Sequence, residues 1–413
     1  MEHLHNALDL ARSKEPVDPV FCLRPFAARR AAEWFIGNFP GKTFYAVKAN
    51  PSPWVLDALA AGGITHFDVA SIREARMVRA HSPNATLGFM NPVKSARAIS
   101  EAYHDLGVRI FSLDSHDELD KIVSATSTAG VGATDLTLCV RLRVPGEHST
   151  IPLAKKFGAE PTEATSLLQR TRQVADALGV CFHVGSQAMS PAAYAIALDH
   201  VQQAIVRAGV IVDVVDVGGG FPSSYPGMEP PPLILYVEEI ARRFEDMSIT
   251  QDCELWCEPG RALSAEAASL VVCVEERKGN RLYINDGRYG ALHDASAIDW
   301  AFPVRVLRED PCEDASGPHE AFCFYGPTCD DADMMEGPFL LPADIRPGDF
   351  IEIGMLGAYG TAMRTDFNGF QTHEEVTVGD EPMFSLYKEE TLPDDAELKI
   401  VGLGHTEKTI EQL

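Results

Sequence analysis

The chain has 413 residues, 46% of them apolar, and a formal charge of −25 at pH 7. That length suits a barrel plus a second, smaller unit, and the excess of acid argues against nucleic acid and anionic membrane surfaces as partners. No apolar run nears the ~20 residues of a membrane helix, the Met-Glu-His-Leu-His-Asn start lacks a basic-then-apolar leader pattern, and nine scattered cysteines without Cys-x-x-Cys spacing point to no metal centre and a reduced, cytoplasmic setting.

Residues 4–12 have helical periodicity and 17–23 form a short apolar run. Residues 1–24 thus read as a lead-in, expected to pack with a later β-rich domain. A helix over 27–37 then precedes a regular alternation. Strands are predicted at 43–47, 66–69, 86–89, 109–113, 136–142, 180–184, 212–217 and 254–257. Helical patterns separate them, at 53–61, 72–81, 96–107, 115–126, 161–178, 191–208 and 233–246. Such apolar strands suit a parallel sheet buried on both faces, and eight β/α units have the count of a TIM (β/α)8 barrel, here residues 25–262. An open, doubly wound sheet is the competing architecture, but no Gly-x-Gly-x-x-Gly follows the first strand. Beyond residue 262 helical periodicity fades. Strands at 271–276, 281–284, 320–325 and 350–353, set between Gly, Pro and Asp turns, indicate a C-terminal β-barrel or sandwich domain, 263–413. The stretch from 374 onward has no clear pattern.

In a TIM barrel the active site lies at the carboxyl ends of the strands, so the residues after each strand carry the functional reading. Lys48 follows the first. It is either a solvated lysine or a buried one whose pKa falls, leaving a neutral amine able to form a Schiff base with a carbonyl. Asp68 ends the second strand and either caps the next helix or orients His183. Arg141 closes the fifth. His183 and Ser186 follow the sixth: a core histidine, or a flat ring to stack on a cofactor, beside a phosphate-binding hydroxyl. Gly218, Gly219 and Gly220 follow the seventh, as a tight turn or as a cradle whose backbone N–H groups approach an anion. Glu258, Gly260 and Arg261 follow the eighth. A carboxylate can keep a pyridine nitrogen protonated, and an arginine can grip a phosphate with two parallel bonds. An aldehyde-binding lysine, a phosphate cradle and a carboxylate for a pyridine nitrogen together specify pyridoxal 5'-phosphate.

The ordered motifs Phe-Tyr-Ala-Val-Lys-Ala-Asn, Phe-Asp-Val-Ala-Ser, His-Val-Gly-Ser-Gln, Asp-Val-Gly-Gly-Gly-Phe-Pro, Glu-Pro-Gly-Arg, Asn-Asp-Gly-Arg-Tyr-Gly, Gly-Pro-Thr-Cys-Asp and Gly-Ala-Tyr resemble the ornithine/diaminopimelate/arginine decarboxylase family, the fold-type III pyridoxal-phosphate enzymes. Within it the chain is most similar to the ornithine decarboxylases. Diaminopimelate decarboxylases carry Cys-Glu-Ser where this chain has Cys329-Asp330-Asp331. The resemblance implies an alanine-racemase-like barrel, a C-terminal β domain and a head-to-tail homodimer with shared active sites. It implies that Lys48 holds the cofactor, that His183 stacks on its ring and that Glu258 pairs with its nitrogen. Ser186, Gly218, Gly219, Gly220, Gly260 and Arg261 would bind phosphate, with Tyr359 closing over it. Asp68 would support from behind, and Arg141 would order the ring oxygen. Cys329 would deliver a proton to the α-carbon and enter from the partner subunit with Asp330. Asp330, Tyr289 and a second carboxylate would hold the substrate's distal ammonium. That second carboxylate is Asp299, one residue further from the Asn-Asp-Gly motif than the family's pattern places it, with Asp294 as rival. Trp300 and Phe302 nearby either resize the pocket wall or pack. The implied activity is decarboxylation of L-ornithine to putrescine, with lysine or dual lysine/ornithine decarboxylation next and diaminopimelate third. An inactive, decarboxylase-like regulatory protein is the non-enzyme alternative.

Overall fold

The computed structural model describes residues 2–153, 155–247, 252–298, 300–308 and 318–387. Strands Lys42–Ala46, His66–Val69, Thr86–Phe89, Ile110–Leu113, Thr137–Arg141, Ala177–Cys181, Val214–Asp216 and Glu254–Cys257 pair in parallel, each with its sequence neighbour, and the last closes on the first. This is the TIM barrel. The helices between the strands cover its outside, and three of them start at a serine, Ser71, Ser95 and Ser115, whose hydroxyl accepts an N–H three residues on. Such caps satisfy donors that a helix's first turn otherwise leaves free.

One core lies between the strands and the helix layer. A second fills the barrel's interior with Phe44, Met90, Ile110, Cys139, Cys181, Val214 and Trp256. Cysteines therefore serve as small apolar packing there. The sixth strand departs from expectation: the helix before it stops at Arg172, and the strand runs Ala177–Cys181 instead of 180–184. The Asp176 N–H donates to Leu136 O at 3.0 Å, which peels the chain from the helix into the barrel. Gly179 permits this close approach, because a Cβ there would lie 2.5 Å from Cys139 Sγ.

A separate sheet follows. Its path runs His3–Leu4, Glu374–Val378, Val20–Leu23, Ala268–Lys278, Arg281–Ile284, His319–Tyr325 and Met334–Pro342, with Phe350–Ile353 joining Ala268–Lys278 to Val304–Val306. Strand Val20–Leu23, just ahead of the barrel, pairs antiparallel with Ala268–Lys278 and parallel with Glu374–Val378. Arg24 locks this junction. It is 1% exposed, and its guanidinium reaches Glu352 at 2.9 Å, Asp380 at 2.8 Å and the Ser269 hydroxyl at 2.7 Å. No helix among the described residues is long and apolar enough to cross a membrane.

Removing one partner of a buried ion pair strands the other charge, at a cost of ~3–5 kcal/mol. Arg24→Ala should lose stability on that scale in urea unfolding; a change below ~1 kcal/mol would show that the network does not hold the junction.

Candidate active site

Lys48 follows the first strand, which ends at Ala46 and not at residue 47. It sits in a single 3₁₀ turn, Val47–Ala49, that follows Lys42–Ala46. The ends of the first and eighth strands close around this turn. The Ala46 N–H donates to Pro259 O at 3.2 Å, and a Cβ on Gly260 would meet the Cβ atoms of Ala49 and Ala46 at 3.1 and 3.2 Å. The second sheet supports the turn from the other side: Tyr359 N–H donates to Ala49 O at 2.7 Å, and Asn50 Nδ2 to Gly357 O at 2.8 Å.

The Lys48 side chain is 42% exposed, and its Nζ lies 2.9 Å from Oδ2 of Asp68, which is 3% exposed. This overturns the expected lowered lysine pKa. Desolvation does pull the ammonium down, but Asp68, then Tyr359 and Glu258, outweigh it, and the net shift is upward. In the polypeptide by itself, Lys48 is a paired cation.

Lys48, Asp68, Arg141, His183 and Glu258 share a cavity of about 220 Å³ with Met90, Asn91, Leu153 and Phe157. His183 is neutral: burial, then Arg141 and Lys48, push its pKa well down, and its Nδ1 accepts the Gly185 N–H at 3.0 Å. Glu258 Oε1 is buried without a partner. Burial, then the neighbouring Asp216 and Asp68, raise the Glu258 pKa well above the usual carboxylate range. Beside the cavity, Gly218 and Gly220 take φ values of +65° and +104°, where a side chain would be strained. A Cβ on Gly219 would lie 2.8 Å from Glu258 O and 3.1 Å from His183 Nε2. Ser186 begins the short strand Ser186–Ala188, paired with Ser149–Ile151.

Arg261 is 5% exposed and already engaged. It donates to Tyr225 Oη at 3.1 Å and pairs with Asp294 at 2.9 Å. Its guanidinium lies 4.5 Å from the Trp300 ring and 4.8 Å from the Tyr359 ring, and only Nε is left buried without a partner. Trp300 and Phe302 pack in the second sheet's core, both against Tyr225. Asp299 lies outside the described residues.

Cys329, Asp330 and Tyr289 form another cluster, and none of them lines the Lys48 cavity. The Tyr289 hydroxyl donates to Asp330, and this bond, then the Ala332 N–H, hold the Asp330 carboxyl below its usual range. Exposed Cys329 is fixed by its N–H to Asn368 Oδ1 at 3.1 Å. Asp333, which the motifs did not single out, ties this cluster together. Its buried carboxylate accepts Arg288 N–H at 2.8 Å, Thr328 N–H at 3.0 Å and the Thr328 hydroxyl at 2.7 Å. Gly287 and Gly326 leave it room, because a Cβ on either would lie 2.2 or 2.1 Å from Asp333 Oδ1.

The profile of the pyridoxal-dependent decarboxylases, pyridoxal binding domain, matches residues 27–265. The chain belongs to this family. It is 32% identical over 351 residues to a lysine/ornithine decarboxylase of Selenomonas ruminantium, covering 83% of this chain and 84% of that one. It is 31% identical to an ornithine decarboxylase of Schizosaccharomyces pombe, over 80% of this chain and 76% of that one. The structure of a Vibrio vulnificus lysine/ornithine decarboxylase complexed with cadaverine superimposes with a TM-score of 0.75 at 26% identity, covering 91% of this chain and 100% of that one. The protein is thus a pyridoxal-phosphate-dependent amino-acid decarboxylase.

The residues present fit that cofactor. Glu258 Oε1 is a buried acceptor that suits a donor such as a ring N–H, and the three-glycine turn packs so closely on Phe182 O, Glu258 O and Gly185 O that only glycine fits, which leaves its backbone bare towards an anion. Sequence reasoning left Asp216 without a role, although it quoted the residue. The available signal was an acid ending an apolar strand immediately before the glycines.

Two outcomes follow. Gly219→Ala should weaken pyridoxal phosphate binding at least ~tenfold by fluorescence titration; unchanged affinity would mean that the glycine turn is not part of the site. An aldehyde-binding Lys48 would have to lose its proton before reacting, so cofactor uptake by the apo-protein should speed up as pH rises. Asp68→Asn removes the main upward influence on Lys48 and should move that rate profile to lower pH in stopped-flow absorbance; an unmoved profile contradicts the pairing.

Proposed function

We propose that the chain decarboxylates L-ornithine to putrescine and carbon dioxide, a step of polyamine formation, with L-lysine as the rival substrate. The reading is carried by Asp330, a carboxylate held in its ionised form by Tyr289. It offers a distal ammonium the opposite charge it needs. The lysine/ornithine and ornithine decarboxylases among its relatives support the same substrate class.

The family resemblance and the residues gathered in the cavity support the following division of labour. Lys48 binds the cofactor's aldehyde, and Asp68 holds that amine in place beforehand. His183, neutral and planar, stacks on the ring, Arg141 orders the ring oxygen, and Glu258 faces the ring nitrogen. Ser186, Gly218, Gly219, Gly220, Gly260, Arg261 and Tyr359 surround the phosphate. Held by these residues, pyridoxal phosphate would supply an electron sink for the pair left behind by carbon dioxide. Cys329 then gives a proton to the α-carbon. Asp330, with Tyr289 and Asp299, receives the distal ammonium. The Lys48 cavity does not include Cys329 or Asp330, which supports a homodimer in which each copy lends these residues to its partner's site.

Carbon dioxide release from L-ornithine, L-lysine, L-arginine and meso-diaminopimelate tests the reading. Ornithine should give the largest kcat/KM, and Asp330→Asn should lower it roughly tenfold to a hundredfold, the worth of a charged hydrogen bond. Turnover of none of the four, or an Asp330→Asn variant with full activity on ornithine, would overturn it.

A further inference from the structure

Asp216 and Glu258 are two acids at one place. Asp216 ends strand Val214–Asp216, and Glu258 follows its neighbour in the barrel, Glu254–Cys257, with Asp216 beside Trp256 in the register. A backbone hydrogen bond, Glu258 N–H to Gly218 O at 2.8 Å, holds the two strand ends together. Asp216 is fully buried. Its Oδ1 accepts the Gly218 N–H at 2.8 Å, while Oδ2 has no partner. Glu258 Oε1 is likewise buried without a partner.

The surrounding groups cannot neutralise both acids. Arg141 acts on Asp216 and Lys48 on Glu258; Lys48 is already paired with Asp68, and the cavity's other cation, Lys156, has its ammonium over the Phe157 ring at 4.9 Å. His183 is held neutral. The thiols of Cys139, Cys181 and Cys257 face the pair from three strands, and burial keeps each of them protonated. If Asp216 and Glu258 were both ionised, three buried carboxylates would meet two cations. With one proton between them, the charges balance. Two carboxyls in contact in a low dielectric do not both ionise.

We propose that Asp216 is a positioning residue that shares a single proton with Glu258, so that the pair presents one negative charge to the cofactor's ring nitrogen. When a ring-nitrogen cation faces Glu258, Glu258 carries the charge and Asp216 Oδ2 holds the proton. Asp216 in turn fixes the glycine cradle through Gly218, so one buried carboxyl sets both the ring-nitrogen partner and the phosphate turn. The directions of titration agree: burial pushes Asp216 up to about 6 and Glu258 well up, and the two act on each other directly. The proposal rests on the cofactor and not on the choice of substrate.

Infrared spectroscopy reads the proton, because a protonated carboxyl has a C=O stretch that an ionised one lacks. Glu266, raised to about 7 by burial, contributes a constant background. In the holoenzyme at neutral pH, Asp216→Asn and Glu258→Gln should each remove the same acid band, and the double variant should remove no more. Labelling aspartate carboxyls isotopically should shift that band in the wild-type holoenzyme, which needs no variant to fold. A band unmoved by the label or untouched by Asp216→Asn would overturn the proposal, as would separate bands lost by the two variants and summed in the double. Uptake of pyridoxal phosphate by the same samples is a separate readout: its failure would count against the cofactor assignment, not against the shared proton.

Discussion

Closure of eight short parallel strands is the constraint from which the site follows. Each strand's carboxyl end reaches the same rim, so residues far apart in sequence converge within one cavity. Asp68 arrives from the second strand, Arg141 from the fifth, His183 from beyond the sixth and Glu258 from beyond the eighth. Convergence brings charge with it. Charges of both signs meet at the rim, and Lys48 pairs there with Asp68 at 2.9 Å. A lysine in this setting is held by its carboxylate and kept protonated.

The second sheet does more than follow the barrel. Its Gly357-Ala358-Tyr359 segment hydrogen-bonds to the turn that carries Lys48, and Tyr359 also covers Arg261. Strand Val20–Leu23, ahead of the barrel in sequence, is built into that sheet and locked by Arg24. Both ends of the barrel segment are therefore anchored to the same sheet. The reactive turn is held between two units and has little freedom of its own.

Much of this was legible because strands buried on both faces are written as apolar runs, and because motif order mirrors strand order. The failures have physical causes. Residues 174–178 continue a helix-compatible composition, and it is tertiary bonds to Leu136 and Asp213 that mark the start of the sixth strand. Strand Met334–Pro342 contains Gly337-Pro338, which reads locally as a turn; pairing with His319–Tyr325 makes it a strand. The sign of the Lys48 shift depends on an aspartate twenty residues away, beyond the reach of local pattern. The partner of Arg261, Asp294, and the role of Asp333 depend equally on tertiary contact.

The central claim is that Lys48 holds the cofactor, and covalent trapping tests it most directly. Borohydride reduction of the holoenzyme followed by peptide mass mapping should place the pyridoxyl group on Lys48, and Lys48→Ala should take up none. Lys156 lines the same cavity and is the meaningful rival. A pyridoxyl group on Lys156, or one retained by Lys48→Ala, would contradict the account.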